Sequence, residues 1–369
     1  MLQRVLTLMY KEFLAVWRDK KSRFVLIGPP IIQLFIFAFA ATLDVQNVSM
    51  AVLNRDSGEQ AFELVERFKG SPTFTEITFL KGVEEIAPYI NNQTGVMVLS
   101  IDQQFSRNID AGKPADVQLI LDGRRSNSTQ IVAGYATRIL DQFSQDHAVK
   151  AGMTIQNTEL VPRNWYNPNL IYYWYNVPSL CGVLTMLVAL IVTALSVARE
   201  RELGTFDQLL VSPLSTREIL IGKTVAPLII AMFEGSIIIF ASYFIFKIPF
   251  HGSLLMLYFS MFFFASAIVG VGLFISSLCS TQQQAIVGTF VFMSPSVLLS
   301  GFATPIENMP EWLQPFTYLV PLRYFLVIAK GIMLKDMPAS MVLENTWPMA
   351  VIALFTLSSA AWFFRRRLA

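Results

Sequence analysis

The stretch ALSVARERELGTFDQLLVSPLSTREILIGKT, Ala194 to Thr224, is the one long charged interruption between two apolar runs in the second half of the chain. The first run ends near Ala198 and meets Arg199-Glu200-Arg201-Glu202. Four consecutive charges are too costly in hydrocarbon, so the chain leaves a membrane there. Leu203, Phe206 and Leu210 fall at i, i+3 and i+7, which predicts a helix of about two to three turns with one apolar face. Pro213 stops it. Ser215 and Glu218 stand in the S-x-x-E relation of a capping box, so a new helix begins at Thr216 and runs through Ile219, Leu220 and Ile221 into the next apolar run. A short amphipathic helix across the mouth of two spans is either a handle for another protein or a segment resting on lipid headgroups. Spacing alone leaves both open.

Working outward, the composition agrees with a membrane setting. The 369 residues are 54% apolar and 15% charged, against roughly 25% charged in soluble proteins, and mean hydropathy is +0.50. A net charge of +2 is too small to suggest nucleic acid as a partner. The basic residues cluster beside apolar runs, as the positive-inside rule requires. Cys181 and Cys279 fall in or beside predicted spans and read as small packing residues, with no disulfide framework.

At the start, Arg4, Lys11, Arg18, Lys20, Lys21 and Arg23 interleave with Val5, Leu8, Met9, Phe13, Val16 and Trp17. Residues 1–23 therefore read as a basic amphipathic helix on the membrane surface. Phe24 to Leu43 is charge-free and, at about 20 residues, long enough to cross. Ala38-Phe39-Ala40 offers a signal-peptidase match, but the long leader with Glu12 and Asp19 and the long apolar run argue against cleavage. Residues 44–170 change character to alternating strand and helix signals: strands at Val48 to Leu53, Phe74 to Leu80, Val96 to Ile101 and Val117 to Leu121, and helices reaching Phe68, over Val83 to Ile90, after Asp102, and over Ser128 to Val149. Ser57 with Gln60 is expected to cap the first of these helices and Asp102 the third. This is a small α/β domain. Six basic residues before the first span hold the N-terminus inside and put the domain outside, in the periplasm of a Gram-negative cell.

Trp165, Tyr166 and Tyr172 to Tyr175 make an aromatic belt at the approach to the second span, with a sugar-binding platform as the sharper alternative. Spans follow at Val177 to Ala198, Val225 to Phe246, Leu254 to Leu278 and Ala285 to Gly301. Ser266, Gly270, Gly272 and Ser276 supply small-residue spacings that let helices approach closely. Pro305, Pro310, Pro315 and Pro321 break the next segment, yet Thr317 to Leu334 stays apolar apart from Arg323 and Lys330. Residues 304–340, with Glu307, Trp312 and Arg323, read as re-entrant from the outside. A sixth span, about Trp347 to Phe364, ends at Arg365-Arg366-Arg367 and fixes the C-terminus inside.

Gly222-Lys223-Thr224 resembles the tail of a P-loop, but the position five before Gly222 is Arg217 where that loop needs glycine. Zinc-protease, C-x-x-C and G-x-S-x-G motifs are absent, and two histidines cannot support a His-based metal site. The expected catalytic and metal sets are both none. One ionisable group falls deep in a span, Glu234, and by default that is a functional hypothesis. It could meet a cationic substrate or Arg323, or be a structural carboxyl bonded across a helix interface.

ARERELGTFDQLLVSPLSTREILIGK, and the block SSLCSTQQQAIVGTFVFMSPSVLLSGFATPIENMPEWLQP from Ser276 to Pro315, resemble ABC-2 type exporter permeases, most closely the YbhR and YbhS subgroup of multidrug permeases. The resemblance implies a polytopic α-helical membrane protein with six transmembrane helices and an extracytoplasmic α/β domain inserted between helices 1 and 2. It implies that the loop 199–223 carries the helix that docks on an ABC ATPase subunit, through Arg199, Glu200, Arg201, Glu202, Leu203, Thr205, Phe206, Leu209 and Leu210. It also implies a second permease subunit, identical or paralogous, in the inner membrane, with ATP and magnesium held by the partner chain and no cofactor here. Closure of the ATPase pair would push the Leu203 to Val211 helix and the N-terminal helix and open the dimer seam outward. A membrane-anchored receptor or scaffold is the rival from another class. A secondary transporter is disfavoured by the absence of an inverted repeat.

Overall fold

In a computed structural model, residues 2–18, 20–39, 47–150, 166–167, 171–205, 208 and 214–366 are described, and the chain divides into two compact units, 1–41 with 163–369, and 42–162. The first unit opens with α1 (Leu2–Arg18) and α2 (Lys20–Phe39). The sequence places the first span at Phe24; the observed helix begins at Lys20. Lysine and arginine are good helix formers, so the backbone is already helical at the basic residues.

Within residues 42–162, strands β1 (Val48–Asn54), β2 (Phe74–Phe79), β3 (Met97–Ile101) and β4 (Val117–Leu121) form a sheet in the order β2-β1-β3-β4. β1 is parallel to β2 and β3, and β4 is antiparallel to β3. Parallel neighbours need crossovers. These are α3 (Glu59–Lys69) and α4 (Ile86–Asn91), while α5 (Phe105–Asp110) joins β3 to β4 and α6 (Ser126–Lys150) follows. Val48, Met50 and Val52 bury one face of β1 with Leu64 and Phe68 of α3 and Val132 and Phe143 of α6. Ala51 and Val98 bury the opposite face with Tyr89 of α4. Burial on both faces is why β1 and β3 read as nearly unbroken apolar runs.

Two expected caps are wrong. The N-cap of α3 is Gly58, without a side-chain cap. The carboxylate of Asp56 takes the neighbouring N–H groups instead, from Gly58 at 3.0 Å and from Ser106 at 2.6 Å, while Gln60 donates to Asp110 at 2.7 Å. Asp102 does not cap α5, whose N-cap is Gln104. It accepts from Arg55 at 3.2 Å.

The helical unit continues with α7 (Tyr172–Glu202), α8 (Thr216–Phe244), α9 (Leu254–Leu278), α10 (Gln282–Leu299), α11 (Pro321–Leu334) and α12 (Ala339–Arg366). Among the described residues, α7, α8 from Arg217, α9, and α12 as far as Phe363 are long and apolar enough to cross a membrane, and Ile27–Phe39 of α2 is a shorter apolar helix. α7 is the hub, packed against α2, α8, α9, α10 and α11. It begins five residues before the expected start and ends four residues after the expected end, because a helix satisfies its own backbone in the interface as well as in hydrocarbon. Two of the small residues do what their spacing predicts. A Cβ on Gly270 would stand 2.3 Å from Thr356 Oγ1 of α12, and one on Gly272 would stand 2.8 Å from Thr193 Cβ of α7. After α10, short 3-10 turns at Ile306–Asn308 and Gln314–Leu319 lead into α11. With 14 residues α11 is about 21 Å long, short of a hydrocarbon core of about 30 Å. It is buried among α7, α9 and α12, with Phe325 stacked on Phe264 at 4.5 Å.

Candidate functional site

The loop between α7 and α8 is held rigidly at both ends. α7 stops in a Schellman turn: the N–H of Gly204 bonds to Arg201 O at 3.1 Å and that of Thr205 to Glu200 O at 2.9 Å, with Gly204 at φ +69°. Leu203 is thus the C-cap of α7 and is exposed, not the first turn of a new helix. The left-handed Gly204 breaks the i, i+3 continuity that the spacing implied between Leu203 and Phe206. At the far end, Ser215 and Glu218 make the expected capping box and α8 starts at Thr216. Phe206, Leu209 and Leu210 lie outside the described residues, as do Trp165 and Arg367.

Each charge of the RERE run is tied to another helix of the helical unit or to its end. Arg199 donates to Ala15 O of α1 at 3.4 Å. Arg201 donates to Ser277 O at 2.9 Å and Cys279 O at 3.0 Å, the orphan carbonyls at the end of α9. Glu202 accepts from the first N–H of α10, Gln282 N, at 2.8 Å. Glu200 is buried and faces two ammonium groups, Lys11 at 2.6 Å and Lys223 at 2.8 Å. Lys223 has no exposed surface; it also donates to Glu12 Oε1 at 2.9 Å and Ser196 Oγ at 3.2 Å. Ser196 in turn donates to Glu12 Oε2 at 2.9 Å. Two ammonium groups and two carboxylates thus join α1, α7 and α8, each with a partner of opposite sign. That pairing is what makes ions tolerable out of water.

Sequence reasoning missed this cluster. Lys223 was legible as a failed P-loop and Glu12 as an argument against a signal peptide. The available signal was a lysine two helical turns inside an apolar helix, which requires a counter-ion.

Beside the cluster, a cavity of about 750 Å³ lies between α1, α2, α7, α8 and α10. One end carries Lys11, Glu12, Ser196, Arg199 and Glu200, and its walls are apolar, with Ile191, Ile230, Ile286, Phe290 and Met293. An apolar chamber of this size with a few polar groups at one end suits an amphiphilic small molecule.

Glu234 is buried at 2% exposure, and its Oε1 has no hydrogen-bond partner. The structure does not bring Arg323 to it. Arg323 donates to Thr317 and lies over the Tyr318 ring at 4.1 Å. Glu307 and Trp312 are exposed in the turns before α11. The site residues therefore separate into the charge cluster at the root of the loop, the mid-helix Glu234, and the turns before α11 with its first turn, which holds Arg323.

Residues 20–362 match the family described as ABC-2 family transporter protein. The chain belongs to the ABC-2 transporter family. This permease is similar to "Probable multidrug ABC transporter permease YbhR" of Escherichia coli strain K12, 47% identical over the full length of both chains. It is 29% identical to "Probable multidrug ABC transporter permease YbhS" of the same strain over 98% of this chain and 94% of that one. It is also 23% identical to "Inner membrane transport permease YhhJ", over 94% and 92%. The chain is a membrane permease rather than an enzyme in itself, and permeases of this family work with ABC ATPase partners.

Proposed function

We propose that this permease is the membrane-crossing subunit of an ATP-driven exporter of drug-like, hydrophobic or amphiphilic compounds. In this reading α2, α7, α8, α9, α10 and α12 are six crossings of the inner membrane. Both termini and the 199–223 loop are cytoplasmic, and the α/β unit is periplasmic. Two permease chains, identical or paralogous, join two copies of a separate ATPase that holds ATP and magnesium. The observation that carries the reading is the charge cluster at the root of the loop, beside the 750 Å³ chamber. A load on the loop reaches α1 through Glu200 and Lys11, α8 through Lys223, and α10 through Glu202, and these helices line the chamber. Stiff helices tied at one end transmit displacement as tilt, so closure of the ATPases reshapes the chamber.

The test is to purify the permease with the candidate ATPase, reconstitute both in vesicles, and follow ATP-dependent movement of a fluorescent amphiphile. Ile191→Trp, which fills the chamber, should abolish movement while the ATPase stays bound. A permease that brings down no ATPase, or transport indifferent to the chamber, would overturn the proposal. Orientation is tested separately: a periplasm-active reporter fused within Glu59 to Val149 should work, and one after Arg367 should not.

A further inference from the structure

The sheet of the α/β unit ends at β2, which pairs with β1 on one side, and among the described residues no strand lies on its other side. Two bonds fix the direction of its backbone groups. Leu80 N donates to Val52 O at 2.9 Å and Val48 N donates to Thr73 O at 2.8 Å. In a parallel ladder alternate residues bond the same neighbour, so Glu76, Thr78 and Leu80 turn their N–H and C=O groups to β1. Ile77 and Phe79 turn theirs outward. Among the described residues, no backbone bond from beyond the sheet reaches either of them.

Exposed edges are usually blunted by a proline, a lysine or a bulge. Past the irregularity at Val48 and Ser49, Glu76-Ile77-Thr78-Phe79 has none of these and runs in unbroken register along Ser49 to Val52. Its one charge is turned aside, since Glu76 accepts from Ser49 Oγ at 3.0 Å. The rim of this edge is apolar as well. Phe79 is 54% exposed, and Phe62, on the α3 face that also carries Lys69, is 64% exposed. Lys69 Nζ stands 5.5 Å from the centre of the Phe79 ring, which puts that face of α3 beside the edge.

This edge is complementary to itself. In one antiparallel register both outward residues meet the outward residues of a second copy: Thr78 lies opposite Thr78, Ile77 opposite Phe79 and Phe79 opposite Ile77. Each Ile77–Phe79 pair then exchanges both of its N–H···O bonds across a twofold axis. Ile77 and Phe79 share the face of Met50 and Val52, so each exposed phenyl ring packs on an isoleucine. Glu76 falls opposite Leu80, and the two carboxylates do not meet.

We propose that β2 is the contact through which the α/β units of two copies of this permease join, as antiparallel neighbours in one continuous sheet. The inference rests on the reading that two permease chains pair, and it commits the pair to identical chains.

Two differently tagged full-length copies, both carrying Cys181→Ala and Cys279→Ala, are expressed together. Pull-down through one tag reports pairing, and cross-linking by an added oxidant reports the edge. Thr78→Cys should link to itself, because opposed residues of a non-hydrogen-bonded pair stand about 4.5 Å apart at Cα, within disulfide reach. Ile77→Cys in one copy should link to Phe79→Cys in the other. Glu76→Cys should not link to itself, since the register sets the two positions four residues apart along the strands, about 13 Å. Ile77→Pro removes an N–H that β1 does not use, so the Thr78→Cys link should be lost while the copies still pull down together. Copies that pull down together without either expected link leave the pairing standing and overturn the edge contact. Copies that do not pull down together overturn both. A link that survives Ile77→Pro, or that forms equally well at Glu76→Cys, would mean chance collision and would also overturn the proposal.

Discussion

Lys223 and Glu234 sit on one helix about three turns apart, both buried, in opposite surroundings. The lysine has two carboxylates and a hydroxyl within bonding distance, drawn from α1 and α7. Among the described residues, no cation stands within ion-pair distance of the glutamate, and Oε1 has no hydrogen-bond partner. Breaking a satisfied ion cluster leaves uncompensated charges, whereas changing an unpartnered carboxyl removes no bond at that oxygen. The first arrangement ties three helices together; the second has no such bond at Oε1 to lose.

The most damaging change should be Lys223→Met. It leaves Glu12 and Glu200 facing each other without their shared ammonium, and losing one partner of a buried pair costs about 3–5 kcal/mol. Thermal unfolding in detergent should show a large loss of stability, with much of it recovered when Glu12→Gln and Glu200→Gln are added. If Lys223→Met alone is as stable as wild type, the cluster does not hold α1 against α7 and α8.

Next in size is Phe206→Ala, which tests whether the loop grips the ATPase. Truncating a central aromatic anchor costs on the order of 2 kcal/mol, about thirtyfold in affinity. Bound ATPase and drug-stimulated hydrolysis should both fall. Glu218→Ala is the control, because it loosens the start of α8 by about 1 kcal/mol without removing the contact face. Full binding and coupling in Phe206→Ala would place that segment on lipid.

Glu234→Gln should lower efflux of a cationic dye at unchanged protein level. Equal efflux would leave Glu234 as a structural carboxyl and dissolve the contrast with Lys223.

The smallest effect belongs to a half-exposed cluster in the α/β unit. Glu63 is held below the ordinary glutamate range by hydrogen bonding from Arg67, with the nearby His147, Lys150 and Arg67 charges adding to it and partial burial opposing. A depressed carboxyl stabilises the fold above its unfolded pKa, and that stability is lost as pH falls through the folded value. Amide protection in α3 should therefore be steady from pH 7 down to about pH 5 and drop below about pH 4. Glu63→Gln should flatten the drop and change stability at neutral pH by less than about 1 kcal/mol. A drop that persists in the variant would assign it to another group.

How much of this was legible in sequence depends on the range of the interaction. Thr216 as the start of α8, the ends of α9 and the strands of the α/β unit were readable because capping boxes, apolar runs and period-two alternation are local signals. Ser57 and Asp102 misled because a polar residue before a helix is a cap only when no neighbour competes, and Asp56 and Arg55 do. Gly204 was readable and overlooked: a glycine directly after a charged helix end is a stop signal. The pairing of Glu12 with Lys223 joins residues 211 positions apart, and no local pattern encodes it.

That separation bears on how the molecule is made. Glu12 leaves the ribosome long before Lys223, and at about 5–20 residues per second the interval is about 10–40 seconds. During that time its carboxylate has no lysine to enter the interior with, so α1 must wait at the water boundary while α2, the α/β unit and α7 emerge. Only when α8 is inserted can the three helices dock. Their closure is a late step of biogenesis, and a chain truncated before residue 223 would present α1 to quality-control proteases as an unattached amphipathic segment.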